Sequence, residues 1–342
     1  MLMKNNKGFL SISVVYSFFI VFLALLLFIV SSYINNRTLL NKVKNDIKEE
    51  AELVTNKSFV DFITQDLYST NGTNDLYFHS SSLDKSAGDN SYRFSGVNPN
   101  NYVCFGYTDA SICNSTNNAD YLYRIIGVFN VLAKDNDTDA SNTKQLVKLV
   151  KNAYYTTNTY NWNEDTNVNN DWNTSDINLR TLNNVYLLNL GSWADYIAIP
   201  TWIVGGNINT YITSSYSNTV YTREVSNPAI YNTSNNKIGL MYVSDYLYAT
   251  NSIYWTTTNT IKKNENYLSI AENEWFITRD SNTTNNVFYK DSNGSIKSGS
   301  VIESYYVRPT FYLKSTIKVS TKHSGTQKDP YRIILEEGDS HE

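Results

Sequence analysis

From Phe9 to Val30 the chain carries no charged residue, no glycine and no proline. That run matches the ~20 apolar residues needed to cross a hydrocarbon core. Beyond it the pattern changes without a break. In NRTLLNKVKNDIKEEAELVTNKSFVDFI, the apolar positions Leu39, Leu40, Val43, Ile47, Ala51 and Val54 recur at helical steps. Lys42, Lys44, Asp46, Lys48, Glu49 and Glu50 interleave on the wetter face. Neither Gly nor Pro occurs between Phe9 and Thr70. The spacing predicts one continuous helix, membrane-spanning over 9–32 and an amphipathic stalk over 33–65. At 1.5 Å per residue, about 45 such residues reach about 70 Å.

Residues 66–100 are polar and lack a sustained period, and predict a linker with one or two short strands. From 101 the pattern turns β-rich. YLYRIIGVFNVL and TKQLVKLVKNAYY are β-branched and aromatic runs around the polar stretch AKDNDTDASN, the pattern of a hairpin. Asp171 or Thr174 can cap a helix whose apolar face is Ile177, Leu179, Leu182, Val185 and Leu188. KIGLMYVSDYLYA, NEWFITRD, NNVFYKDSNGSIKSGSVI and YYVRPTFYL are further strand candidates, with a turn at Asp291–Gly294. Few helices among many short strands predict an α+β head over 101–320, followed by a terminal strand and polar tail over 321–342.

Charge sets direction more than chemistry. Lys4 and Lys7 precede the apolar run, so the positive-inside rule leaves residues 1–8 in the cytoplasm, and the bulk of the chain faces outward. The run is too long for a secretory signal peptide, and FIVSSYINNR is a poor cleavage site. A net charge of -4 with scattered Lys and Arg gives no footprint for nucleic acid. Cys104 and Cys113 are the only two cysteines, and their spacing predicts a local disulfide formed outside the cytoplasm. With 28 tyrosines and only 18% charged residues, the polar positions are mostly amides, hydroxyls and phenols, which suit ligand-contacting faces.

Two resemblances follow from these motifs. The basic start, then Lys7-Gly8-Phe9, then an apolar helix running into an amphipathic one, resembles a type IV prepilin or pseudopilin. The resemblance implies cleavage between Gly8 and Phe9 by prepilin peptidase, with the membrane and pilus assembly proteins as partners. Ser13 stands where most such pilins have Glu, which sets polymerisation apart from cleavage. The second covers about Tyr102 to Leu313 and rests on an ordered series of short motifs. These are Tyr123-Arg124-Ile125-Ile126-Gly127, Trp172, Ser175-Asp176-Ile177, Leu182-Asn183, Ile238-Gly239-Leu240-Met241, Trp275 to Arg279, Asp291 to Gly294 and Val307-Arg308-Pro309. The series resembles a Gram-positive surface domain similar to the C-type-lectin-like and formylglycine-generating-enzyme-like fold. In relatives of that fold the loops between late strands form ligand-binding surfaces.

The residues offer no catalytic constellation. No cysteine follows Cys113, and His79, His323 and His341 are poorly placed for a Ser-His-Asp arrangement. Asp135, Asp137 and Asp139 alternate as in an EF-hand, but Ala140 and Leu146 occupy the positions that need Gly and Glu, so no metal site is expected. No cofactor is implied. Trp162 and Trp172, in an Asn-dense loop, and Trp255, in NSIYWTTTNT, are the ligand-binding candidates, for a glycan or a protein. The expected protein is a pilin-like surface subunit with a lectin-like binding head. The rivals are a surface adhesin that never polymerises and, less favoured, an enzyme on the same fold.

Overall fold

The computed structural model describes residues 7–107, 113, 121–164, 169–256 and 263–335, with the side chains of 7–14, 46–55 and 263 left aside. Most of the leader and the tail with His341 lie outside the described residues, and so do the side chains of Gly8, Phe9 and Ser13. The chain divides at Thr55–Asn56 into two compact units.

The first unit is one α-helix, Lys7–Thr55, of 49 residues. Within its stretch Val15–Asn45, long and apolar enough to cross a membrane, the most apolar 18 residues have a mean hydropathy of 2.6, and none of that part is buried. The helix ends at Thr55 rather than at residue 65, because Asn56–Ser58 pairs antiparallel with Lys318–Ser320. Phe59, Phe62 and Ile63, expected on the stalk, are buried in the core of the second unit.

That unit is a β-rich α+β domain. Its main sheet of eleven strands runs Asn56–Ser58, Lys318–Ser320, Tyr331–Ile334, Tyr102–Cys104, Leu122–Lys134, Asn142–Lys151, Thr310–Tyr312 and Ile238–Gly239. Tyr92–Phe94 and Ile199–Pro200 attach to Leu122–Lys134, and Leu76–Phe78 pairs with Tyr92–Phe94. A second sheet runs Tyr231–Ser234, Trp202–Asn207, Glu274–Asp280, Asn286–Lys290 and Ile296–Ser300. Each sheet is mixed: Tyr331–Ile334 lies parallel to Tyr102–Cys104, and Trp202–Asn207 lies parallel to Glu274–Asp280.

The expected hairpin is the spine of the domain. Leu122–Lys134 and Asn142–Lys151 pair through most of their length, and Leu122–Phe129 and Leu146–Lys151 are buried on both faces. Gly127 is required where Tyr92–Phe94 crosses this hairpin, since a Cβ there would lie 2.0 Å from the Tyr92 carbonyl oxygen. Residues 66–100 are therefore part of the fold rather than a linker: Leu76–Phe78 and Tyr92–Phe94 add to the sheet, and His79, Ser91, Arg93 and Phe94 are buried. The Asp135–Asp139 stretch is the turn of the hairpin, with Asp135 paired to Lys144 and Asp139 accepting from the Asn136 amide.

The expected helix is present as a widened helical stretch, Ile177–Tyr186, continued by Leu187–Asn189. Arg308, just before Pro309, is 1% exposed and gives a two-pronged bond to Glu274 at 2.8 and 2.9 Å. Asn side chains hold the irregular connections by acting as surrogate backbone. The Asn170 amide nitrogen lies 2.9, 3.0 and 2.9 Å from the carbonyls of Asp280, Thr283 and Asn286. Asn101, Asn207 and Asn266 bond the carbonyls of Ile125, Val220 and Tyr246 in the same way. Such bonds satisfy buried carbonyls that no ladder reaches.

Cys104 and Cys113 form the expected disulfide, buried beside Tyr102 and Leu122. Closing so short a loop contributes about 2–3 kcal/mol by restricting the unfolded chain. Replacing both cysteines with Ser is expected to lower the unfolding free energy in urea by that amount. An unchanged midpoint would mean that the bridge does not constrain the unfolded chain.

Candidate functional site

A concave site lies between the two sheets, a cavity of about 270 Å³. The main sheet supplies Arg93, Phe129, Lys148 and Tyr312; the second sheet supplies Trp202, Ile203 and Tyr231. Tyr221, Tyr242 and Asp245, from the helical segments that bridge the sheets, close it. Asn130, Leu132, Tyr231 and Thr233 form an exposed mouth.

Four charges make its floor. The Arg93 Nη2 donates to Asp89 Oδ2 at 2.7 Å and its Nε donates to Ser91 Oγ at 2.9 Å. Lys148 Nζ donates to Asp245 Oδ2 at 2.6 Å. That carboxylate oxygen also accepts from the Tyr242 amide at 3.0 Å, at the start of the short helix Val243–Tyr248. Arg93, Lys148 and Asp245 are each at most 2% exposed. Burial would raise the Asp89 carboxyl, but the Arg93 guanidinium and the Ser91 hydroxyl outweigh it and hold it down at about 2. Burial lowers the Lys148 ammonium from its usual range, and Asp245 opposes that shift.

Aromatic rings surround the cations. Lys148 Nζ lies 4.5 Å from the Tyr242 ring centre, 5.3 Å from those of Trp202 and Tyr312, and 5.4 Å from that of Phe129. Arg93 lies over Phe129 at 4.6 Å and over Tyr221 and Tyr248 at 5.0 Å. Trp202 is fixed by its indole N–H, which donates to the Asn236 carbonyl at 2.7 Å. Its ring lies flat on Gly239, where any Cβ would come within 2.8 Å of it. Behind the floor, Glu224 is fully buried and accepts from the Ser244 amide and the Thr278 hydroxyl. Burial pushes its carboxyl up to about 7.

The three tryptophans picked from the sequence are not in this cavity. Trp162, Trp172 and Trp255 are each 1% exposed or less. Trp162 packs on Trp172 at 5.4 Å and on Trp275 at 6.0 Å between ring centres. Trp255 packs on His79, Tyr77 and Tyr248. The structure thus packs these rings against their aromatic neighbours, none of them lining the cavity, and the Asn-rich segments around them are tied down by amide bonds. His79 is buried in the same aromatic group, accepts from the Ala87 amide through Nδ1 and is pushed well below its usual range by burial. Among the described residues, no group of three or more His, Cys, Asp or Glu converges as a metal site would require.

The sequence reading passed over Arg93, Lys148, Trp202 and Asp245. One signal was available: Lys148 interrupts the apolar run of QLVKLVK on the same strand face as Leu146 and Val150. The arrangement can hold a small molecule between flat apolar walls and a floor of hydrogen-bonding charges. Asp89, held ionised near neutral pH, is unsuited to serve as a general acid. No protein-family model matches this chain, and no curated protein or solved structure matches it.

Proposed function

We propose that this is a membrane-tethered bacterial surface protein of pilin-like organisation, whose lectin-like domain binds a ligand rather than turning one over. The observation that carries the reading is the unbroken helix Lys7–Thr55, with its exposed apolar stretch, continuous in sequence with a disulfide-bonded domain. An apolar surface of that length needs lipid, or a neighbouring helix in its place. A disulfide fits an extracellular domain. The order of hairpin, helical stretch, second hairpin and Val307-Arg308-Pro309 leading into the strand Thr310–Tyr312 is the order on which the lectin-like resemblance rests. The cavity between the sheets supports binding. In this reading the membrane and the prepilin peptidase are partners, the assembly machinery extracts the helix from lipid, and the domain meets an extracellular glycan or protein.

The intact mass and N-terminal sequence of the protein from native membranes test the tether. A chain starting at Phe9 is expected, and would mean that the peptidase accepts Gly8-Phe9. A chain starting at Met1 would remove the pilin-like part and leave a retained anchor. Ser13 bears on assembly rather than on cleavage: it favours a protein that never polymerises, since the Glu that helps to register pilin subunits is absent.

A further inference from the structure

The geometry points to the cavity between the two sheets as a site for one uncharged pyranose ring, as a free monosaccharide or as the last residue of a glycan. This inference rests on the reading of the domain as a ligand-binding head. It deepens that reading by naming the site and the ligand class.

Charge selects an uncharged ligand. Two cations, Arg93 and Lys148, face two carboxylates, Asp89 and Asp245, so the floor has strong local dipoles and no net charge. An anion would meet both carboxylates, and a cation would meet both basic groups. The hydrogen-bond inventory then selects hydroxyls. Lys148 has three N–H donors and gives one bond, to Asp245. The Arg93 Nη1 lies 3.7 Å from Asp245 Oδ1, beyond hydrogen-bond range, so its donors are also spare. Asp245 Oδ1 remains able to accept. A hydroxyl is both donor and acceptor: it can take a proton contact from Lys148 or Arg93 and return one to Asp245, each bond polarising the next. Buried charges with spare donors destabilise a core unless something completes them.

Shape selects a ring. Phe129, Trp202, Tyr242 and Tyr312 surround the floor with aromatic carbon, suited to the C–H groups of a pyranose whose rim carries the hydroxyls. At about 270 Å³ the cavity lies just below the common small-ligand size of about 300–1,000 Å³, room for one ring rather than an oligosaccharide. The mouth, with Tyr231 52% and Leu132 46% exposed, leaves an exit for a glycosidic continuation.

Trp202 is the one tryptophan lining the cavity, so it supplies a local probe. The full chain, labelled with 5-fluorotryptophan and held in a detergent without a sugar headgroup, gives six fluorine signals, with Trp202 assigned from Trp202→Phe. Glucose, galactose, mannose and N-acetylglucosamine are then titrated, followed by their methyl glycosides and oligosaccharides ending in the best of them. We expect the Trp202 signal to shift with one of these sugars, with half-saturation on the order of 1 mM. Thr233→Trp, which fills the mouth and leaves the floor intact, is expected to weaken that response at least about tenfold without changing the unfolding midpoint. A response to the oligosaccharide as well identifies a glycan end, whereas a response to the free sugar alone identifies a monosaccharide. Both sustain the inference.

Sugar binding that moves other tryptophans and ignores Thr233→Trp would overturn the site while leaving a binding head in place. A Trp202 response to glucuronate or free amino acids, with none to neutral sugars, would overturn the ligand class. Silence toward every sugar would overturn the inference outright, and the N-terminal mass would still judge the tethered-protein reading separately.

Discussion

Arg308→Met is expected to lower the unfolding free energy of the domain by about 3–5 kcal/mol, the usual loss when one partner of a buried ion pair is removed. The Arg308 Nε and Nη2 bond both Glu274 oxygens, and Nη2 also reaches the Leu268 carbonyl at 2.5 Å. Both side chains are 1% exposed, so the variant leaves a carboxylate and a carbonyl without donors and beyond the reach of water. Glu274 opens the strand that carries Trp275, and the Trp275 amide bonds the Tyr306 carbonyl, so the damage falls where the second sheet meets the chain before Pro309. Urea unfolding of the full chain in detergent, followed by tryptophan fluorescence, measures this, because all six tryptophans lie beyond Thr55. Arg308→Met combined with Glu274→Leu is expected to recover most of the loss, since it removes both buried charges. A loss below about 1 kcal/mol in the single variant would show that water reaches the pair.

A second large effect is expected with pH, and it runs opposite to ordinary acid denaturation. Glu224 has an unperturbed value of 4.5, and burial raises it to about 7 in the folded domain; hydrogen bonds from Ser244 and Thr278 offset part of that rise. Below 4.5 the group is protonated in both states and its contribution is fully present. As pH climbs to about 7 and beyond, the unfolded chain has already released the proton while the fold must bury the charge. The slope is therefore negative across that window, and the contribution lost by pH 8 is about 3 kcal/mol. Glu224→Gln keeps an acceptor for Ser244 or Thr278 and cannot ionise, so it retains the opposite slope of His79, whose lowered value adds stability as pH rises toward 6.5, and the parent is expected to lose about 3 kcal/mol relative to it between pH 4 and pH 8. A difference between parent and variant that stays constant from pH 4 to pH 8 would mean that Glu224 is ionised in the fold at ordinary values. The chain near Glu224 also feeds the cavity, because Ser244, which donates to it, neighbours Asp245.

Much of the local architecture was legible in the chain. The helix was visible because an uninterrupted apolar run leaves the backbone no other way to satisfy its hydrogen bonds in lipid. The hairpin from Leu122 to Lys151 was visible in its β-branched runs, and the turn at Asp291 in its turn residues: Asp291 Oδ1 accepts from the amides of Asn293 and Ser295.

The candidate site was not legible in the same way. Its floor and walls come from Asp89, Arg93, Phe129, Lys148, Trp202, Tyr221, Asp245 and Tyr312, which no local period relates. Alternation puts Lys148 on the face of Leu146 and Val150, and only the second sheet and the bridging segments, laid over that face, show that it is enclosed with Asp245. Trp162 and Trp172 mislead for the converse reason. Asparagines mark solvated loops by composition, yet here their amides replace backbone partners and draw the loop inward.

The sequence by itself determined the apolar helix, the α+β character of the domain and the two cysteines that meet in a bridge. These depend on composition and on periods of a few residues, which are local physics. Tertiary structure alone decided that the helix stops at Thr55, that residues 66–100 join the sheet, and that four charges meet within a ring of aromatic side chains. Each of those depends on what a distant segment offers: a free strand edge at Lys318–Ser320, a glycine at 127 that admits a crossing strand, and a second sheet that closes over the first.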